Sequence, residues 1–194
     1  MKTMFAAAAM VSALSLSAPA SAGFFDLTLA PVVGISAGQA SIDYTCPAGD
    51  ACDKKDTAYK IFGGLEVNEY ITMEVGYVNL GEAKVTGTTS GTVSAHGMTM
   101  QVLGSYAINP SFTLLVRGGM NILNAEVNGT IAGTPTNNEG DTDVAWSAGL
   151  GAQYNLTEAV GLRMEWERFF KVGDATTTGE ADVDMISAGF VYKF

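Results

Sequence analysis

Apolar and polar residues alternate along most of this chain with a period of two, the spacing that sends successive side chains to opposite faces of a strand. Leu162, Met164 and Trp166 alternate with Arg163, Glu165 and Glu167. Trp146, Ala148, Leu150, Ala152 and Tyr154 alternate with Ser147, Gly149, Gly151 and Gln153. Tyr59, Ile61, Leu65 and Val67 oppose Lys60, Phe62 and Glu66, while Met73, Val75 and Tyr77 oppose Glu74, Gly76 and Val78. Eight such stretches are predicted as strands, near 29–44, 57–67, 70–84, 97–107, 112–125, 144–155, 159–171 and 183–194. No segment after residue 22 carries a helical period.

The connections add a second rhythm. Asn68-Glu69, Asn109-Pro110-Ser111 and Asn155 to Glu158 are short and rich in turn formers. The stretches near 45–56, 85–96, 126–143 and 172–182 are long, with much Gly, Thr, Asp and Asn. Short turns at one end and long loops at the other are the habit of outer-membrane barrels. The apolar faces end in aromatics beside the short turns (Tyr106, Phe112, Tyr154, Tyr192, Phe194), as an interfacial girdle does. The opposite faces hold Gly64, Gly76, Gly119, Gly149, Gly151 and Gly189, which suits a crowded lumen. The expected fold is therefore all-β: an eight-stranded antiparallel up-and-down transmembrane barrel, polar inside and apolar outside. A lipocalin-like soluble barrel is the same pattern with the faces exchanged.

The N-terminus supplies the compartment. Met1-Lys2-Thr3 carries one positive charge, Met4 to Leu16 is uncharged, and Ala20-Ser21-Ala22 offers small residues to a signal peptidase. Residues 1–22 are expected to be a signal peptide cleaved after Ala22, leaving 23–194 as one barrel domain in the outer membrane. Aspartates and glutamates number 20 against 10 lysines and arginines, a net charge of −10. That balance excludes nucleic acid as a partner, since its binders need basic patches. It leaves outer-membrane lipid and lipopolysaccharide as the expected surroundings of a monomer. Cys46 and Cys52, the two cysteines, are expected to form a disulfide across a short loop, the default in an exported protein.

The last strand contains Ser187, Gly189, Tyr192 and Phe194, and these resemble the signal that the barrel-insertion machinery reads. With them, Asp56-Thr57-Ala58-Tyr59-Lys60-Ile61-Phe62-Gly63-Gly64-Leu65-Glu66-Val67-Asn68 and Met73-Glu74-Val75-Gly76-Tyr77-Val78-Asn79-Leu80-Gly81 resemble the OmpA-type transmembrane barrel family, from about residue 30 to 194. The resemblance implies the barrel fold and the outer membrane. It does not imply the peptidoglycan-binding domain that the family often carries after the barrel.

Candidate chemistry lies on the face assigned to the lumen, with Lys60, Glu66, Glu74, Arg117, Arg163, Glu165, Glu167 and Lys193. Charges in a narrow, partly dry interior must pair or bear a desolvation cost. The family resemblance implies that Glu74 meets Arg163 across the barrel. The leading expectation is a structural or surface-interaction protein whose network fills the interior; the alternatives are a narrow passive pore and a lipid-modifying enzyme. No catalytic residue, cofactor or metal site is assigned. His96, the single histidine, sits in Ser94-Ala95-His96-Gly97 with no acid evident to orient it. Glu139, Asp141 and Asp143 lack the spacing of an EF-hand and read as a solvated loop.

Overall fold

The computed structural model describes residues 29–43, 51–86, 89–131, 134–135, 139–173 and 180–194. Eight long antiparallel strands close on themselves: β1 (Ala30–Asp43), β3 (Lys55–Asn68), β4 (Ile71–Thr86), β5 (Thr89–Asn109), β6 (Phe112–Ile131), β8 (Glu139–Asn155), β9 (Val160–Val172) and β10 (Ala181–Lys193). Two short pieces, β2 (Ala51–Asp53) and β7 (Thr134–Pro135), pair with the outer ends of β4 and β6. Closure comes from β1 against β10, in register from Val32 opposite Lys193 to Asp43 opposite Asp182. No helix among the described residues is long and apolar enough to cross a membrane.

The short turns are built as their residues predict. The Asn68 side chain accepts from the Tyr70 amide at 2.9 Å, and Asn109 does the same for Ser111 at 2.9 Å. In the third turn the Thr157 hydroxyl accepts from the Val160 amide at 2.9 Å. Each side chain stands in for a backbone partner, so the register of the following strand is set locally.

At the long-loop end the strands run further than the sequence pattern predicts. β5 begins at Thr89 rather than near 97, β6 continues to Ile131, and β8 starts at Glu139. These extensions pair fully, from Thr89 opposite Ile131 to His96 opposite Asn124. The physical reason is an inversion of the two faces. Below a ring formed by Gln39, Asn79, His96, Asn124, Thr142, Arg168 and Asp184, outward side chains are apolar and exposed, including Ile35, Ile61, Met98, Leu150, Trp166 and Ile186. Above it the outward residues among those described are polar apart from Phe170, and the inward ones form an apolar cluster of Ala40, Ile42, Val78, Leu80, Leu123, Phe169, Val183 and Met185, among others. The period of two continues through the ring, but its sign changes. Lipid demands apolar-out, water demands apolar-in, and the same strands serve both.

Candidate functional site

Between the apolar cluster and the short turns, inward side chains from β3, β4, β5, β6, β8 and β9 converge on one buried polar network. It holds three cations, Lys60, Arg117 and Arg163, and three carboxylates, Glu74, Glu165 and Glu167, all buried. Lys60 Nζ donates to Glu167 at 3.0 Å and to Glu165 at 3.1 Å. Arg117 donates to Glu74 at 3.1 Å and also to Glu165, and lies 3.8 Å from Glu167. Arg163 donates to Glu74 at 2.7 Å and lies 3.9 Å from Glu165. The formal charges cancel and every ion touches at least two of opposite sign, the arrangement that offsets desolvation in a low-dielectric interior.

Of the charges assigned to the lumen from sequence, six thus meet in one cluster. Glu66 and Lys193 do not join it; they pair with each other at the short-turn mouth, both partly exposed. Two neutral side chains also belong to the network although their sequence gave no charge signal. Gln101 accepts from Arg117, donates to Glu167, and bonds Ser147 at 3.1 Å. Gln153 accepts from the Arg163 Nε at 3.1 Å and donates to Asn155 at 2.8 Å. Their inward parity on β5 and β8 is the one signal that could have found Gln101.

Apolar layers bound the network on both sides. Toward the short turns lie Val32, Phe62 and Val191, packed together, with the Phe62 ring 5.2 Å from the Arg163 guanidinium and 5.8 Å from Lys60 Nζ. Toward the outer end lies the larger cluster, in which Phe169, Ala58 and Val78 are completely buried. The interior is therefore a stack: apolar floor, neutral ionic layer, apolar cap.

The outer rim has its own polar construction. Asp56 accepts from the Thr57 and Glu82 amides, each at 2.7 Å, tying β3 to the bulge in β4 where pairing shifts between Asn79 and Glu82. Gly81 occupies that bulge at φ 78°, and a Cβ there would come within 2.7 Å of Asp56. The Glu82 and Thr57 amides hold the Asp56 carboxyl below its ordinary value of 3.8. A depressed carboxyl contributes its stability above the unfolded value and loses it as pH falls through the folded one. Protection of the Glu82 amide, its exchange relative to the unstructured rate at the same pH, should therefore fall on acidification below about pH 4, and in Asp56→Asn it should be low and unchanged across that range.

Other singled-out residues lie apart from the interior. His96 faces outward in the polar ring, opposite Asn79, its ring 6.2 Å from that of Tyr77. Ser187 and Gly189 face inward on β10, while Tyr192 and Phe194 are exposed, their rings packed edge to face at 4.9 Å. No group of three or more His, Cys, Asp or Glu suited to a metal occurs among the described residues. Residues 1–22 and Cys46 lie outside the described residues, so the leader and the disulfide fall there too.

Comparison with known proteins gives one answer at three levels. Outer membrane protein A of Salmonella typhi is 30% identical over 135 residues, covering 69% of this chain and 39% of that protein. The same protein of Klebsiella pneumoniae is 31% identical over 136 residues, covering 69% and 40%. The chain thus spans about two fifths of the length of these relatives. Among solved structures, Neisserial surface protein A superposes with a TM-score of 0.61 at 16% identity, covering 84% of this chain and 97% of that one. OprG of Pseudomonas aeruginosa gives 0.56 at 14% identity, covering 88% and 99%. Relatives and neighbours alike are proteins of the outer membrane, and the lipid-facing belt described above fits that location. Residues 31–194 match the model of the OmpA-like transmembrane domain, and the chain belongs to that family.

Proposed function

We propose that this protein is a structural and surface-interaction barrel of the outer membrane that does not conduct. The observation that carries the reading is the stacked interior. A pore needs a continuous water path, and here an apolar cap of fully buried side chains lies directly above an ionic layer whose charges are all engaged. Opening it would require breaking ion pairs and wetting an apolar layer at once. In planar bilayers the purified protein should show no steady conductance. Stable openings at neutral pH would replace this reading with that of a narrow passive pore.

The surface role falls to the extensions of β5 and β6 beyond the polar ring, where Thr92, Ser94, Glu126 and Asn128 sit on a paired scaffold clear of the lipid. Catalysis has no place in this reading, since His96 faces outward beside Tyr77 and Asn79. Lipid and lipopolysaccharide surround a monomer. Ser187, Gly189, Tyr192 and Phe194 serve recognition by the insertion machinery, so deletion of Phe194 should lower outer-membrane yield more than it destabilises barrels already formed. A leader removed after Ala22 and a Cys46–Cys52 disulfide complete the proposal. N-terminal sequencing and thiol counting of unreduced protein read these two directly, and Met1 at the N-terminus or two free thiols would refute them.

A further inference from the structure

Most glycines in the strands are explained by the barrel itself. At Gly38 a Cβ would fall 1.9 Å from the Ile186 carbonyl oxygen, and at Gly64 it would fall 2.4 Å from that of Met73. Gly63 is different. A Cβ there would meet only Val32 O at 3.7 Å and a Val33 methyl at 4.0 Å, ordinary contacts that leave room for a side chain. Gly63 faces lipid in mid-strand, where glycine weakens a sheet and marks places that another molecule approaches closely.

What surrounds Gly63 makes a pit. Val33 and Val75 sit directly across from it on β1 and β4, and Ile61 and Leu65 flank it along β3. All four are large, apolar and more than two-fifths exposed. Ile35 and Tyr77 extend the depression along the next register row into a groove of about 890 Å³ whose lining is apolar. Immediately above, toward the outer face, Tyr59, Asn79 and His96 form a row of hydrogen-bonding side chains across β3, β4 and β5.

We propose that this groove seats one acyl chain of a membrane lipid as a bound ligand, with the lipid's polar head at Tyr59, Asn79 and His96. The groove is continuous with the lipid-facing belt, so hydrocarbon is what meets it. A second copy of the chain fits poorly. A two-fold contact joins the same patch to itself, and two concave patches cannot fill one another. The net charge of −10 on each copy opposes that contact further. A flexible acyl chain has the slender, apolar shape that a pit ringed by branched side chains accepts.

The test uses the barrel in vesicles of phosphatidylethanolamine and phosphatidylglycerol containing a phospholipid with a photoreactive diazirine in mid-chain. Cross-links in the unaltered protein should concentrate on Val33, Ile61 and Val75 rather than spread evenly round the belt. Gly63→Leu fills the pit and should cut labelling there about tenfold, the effect of unburying roughly two methylenes. Gly118→Leu, at a lipid-facing glycine outside the groove with equally open space, should leave labelling unchanged. Gly63→Ala adds one methyl without a clash and should give an intermediate loss, so the result does not hang on the leucine variant folding. Even labelling of the unaltered protein, or equal effects of the two leucine variants, would overturn the proposal. Cross-links between copies across the pit would overturn it in favour of a dimer.

Discussion

Arg117→Met should destabilise the folded barrel by about 3–5 kcal/mol, the cost of removing one partner from a buried ionic network. Arg117 contacts Glu74, Glu165 and Glu167, and its removal leaves three carboxylates with two cations between apolar layers. The expected compensation is specific. Adding Glu165→Gln to Arg117→Met restores neutrality and should recover a good part of the loss, whereas adding Lys60→Met should deepen it. Equilibrium unfolding in urea, read by the shift in gel mobility between folded and unfolded barrel, measures all three. If the double neutral variant is no better than Arg117→Met, charge balance is not what the network maintains, and the packing of the long side chains matters more.

Leu150→Arg should cost roughly 2–4 kcal/mol, and Gln153→Glu, on the same strand, should cost less although it unbalances the ionic layer by one charge. Leu150 is 57% exposed near the middle of the lipid-facing run from Val144 to Tyr154, so a guanidinium there meets hydrocarbon. Gln153 is 4% exposed, already accepts from Arg163 Nε and bonds the partly exposed Asn155 at the short-turn edge of the layer, so the added carboxylate meets a cation directly instead of hydrocarbon. Unfolding in lipid vesicles ranks the two. A reversed ranking would mean that the apolar face is the interior, and the membrane assignment of this surface would fall.

Why the lower half of the barrel is legible in the sequence and the upper half is not follows from β9. Leu162 to Glu167 alternates with one sign, apolar outward and charged inward, and the pattern can be read without a structure. Then Arg168 faces outward and pairs with Asp184, Phe169 is fully buried inside, and Phe170 is exposed. Side by side in sequence, Phe169 and Phe170 look like a break in the alternation. In space they are an unbroken strand crossing from hydrocarbon to water. On β5, Val93 and Ala95 face inward and Ser94 and His96 outward by the same exchange, and a search for one constant sign ends the strand too early. The ionic layer was legible as a set of charged inward positions, because six charges share the inward parity of their strands. Its wiring was not. Which carboxylate bridges which cation depends on the shear that sets Lys60 of β3 against Glu165 and Glu167 of β9 across the lumen, and shear has no signature in any single strand. Gln101 was missed because neutral amides carry no flag until a charged neighbour appears.

The pairing of β1 with β10 has a consequence for the order of events during biogenesis. Every other long strand pairs with the next long strand along the chain, but Ile35 must wait for Phe190. Until β10 arrives, the nascent sheet has two bare edges, and loop-closure entropy opposes the final join. Each bare edge is a template for pairing with a stranger. The open sheet must therefore be sheltered until the last strand completes everything before it. A slip of one residue at this seam would turn Phe190 and Tyr192 into the lumen and Ser187 and Gly189 toward lipid, so a barrel closed in the wrong register loses its inside and its outside in one step.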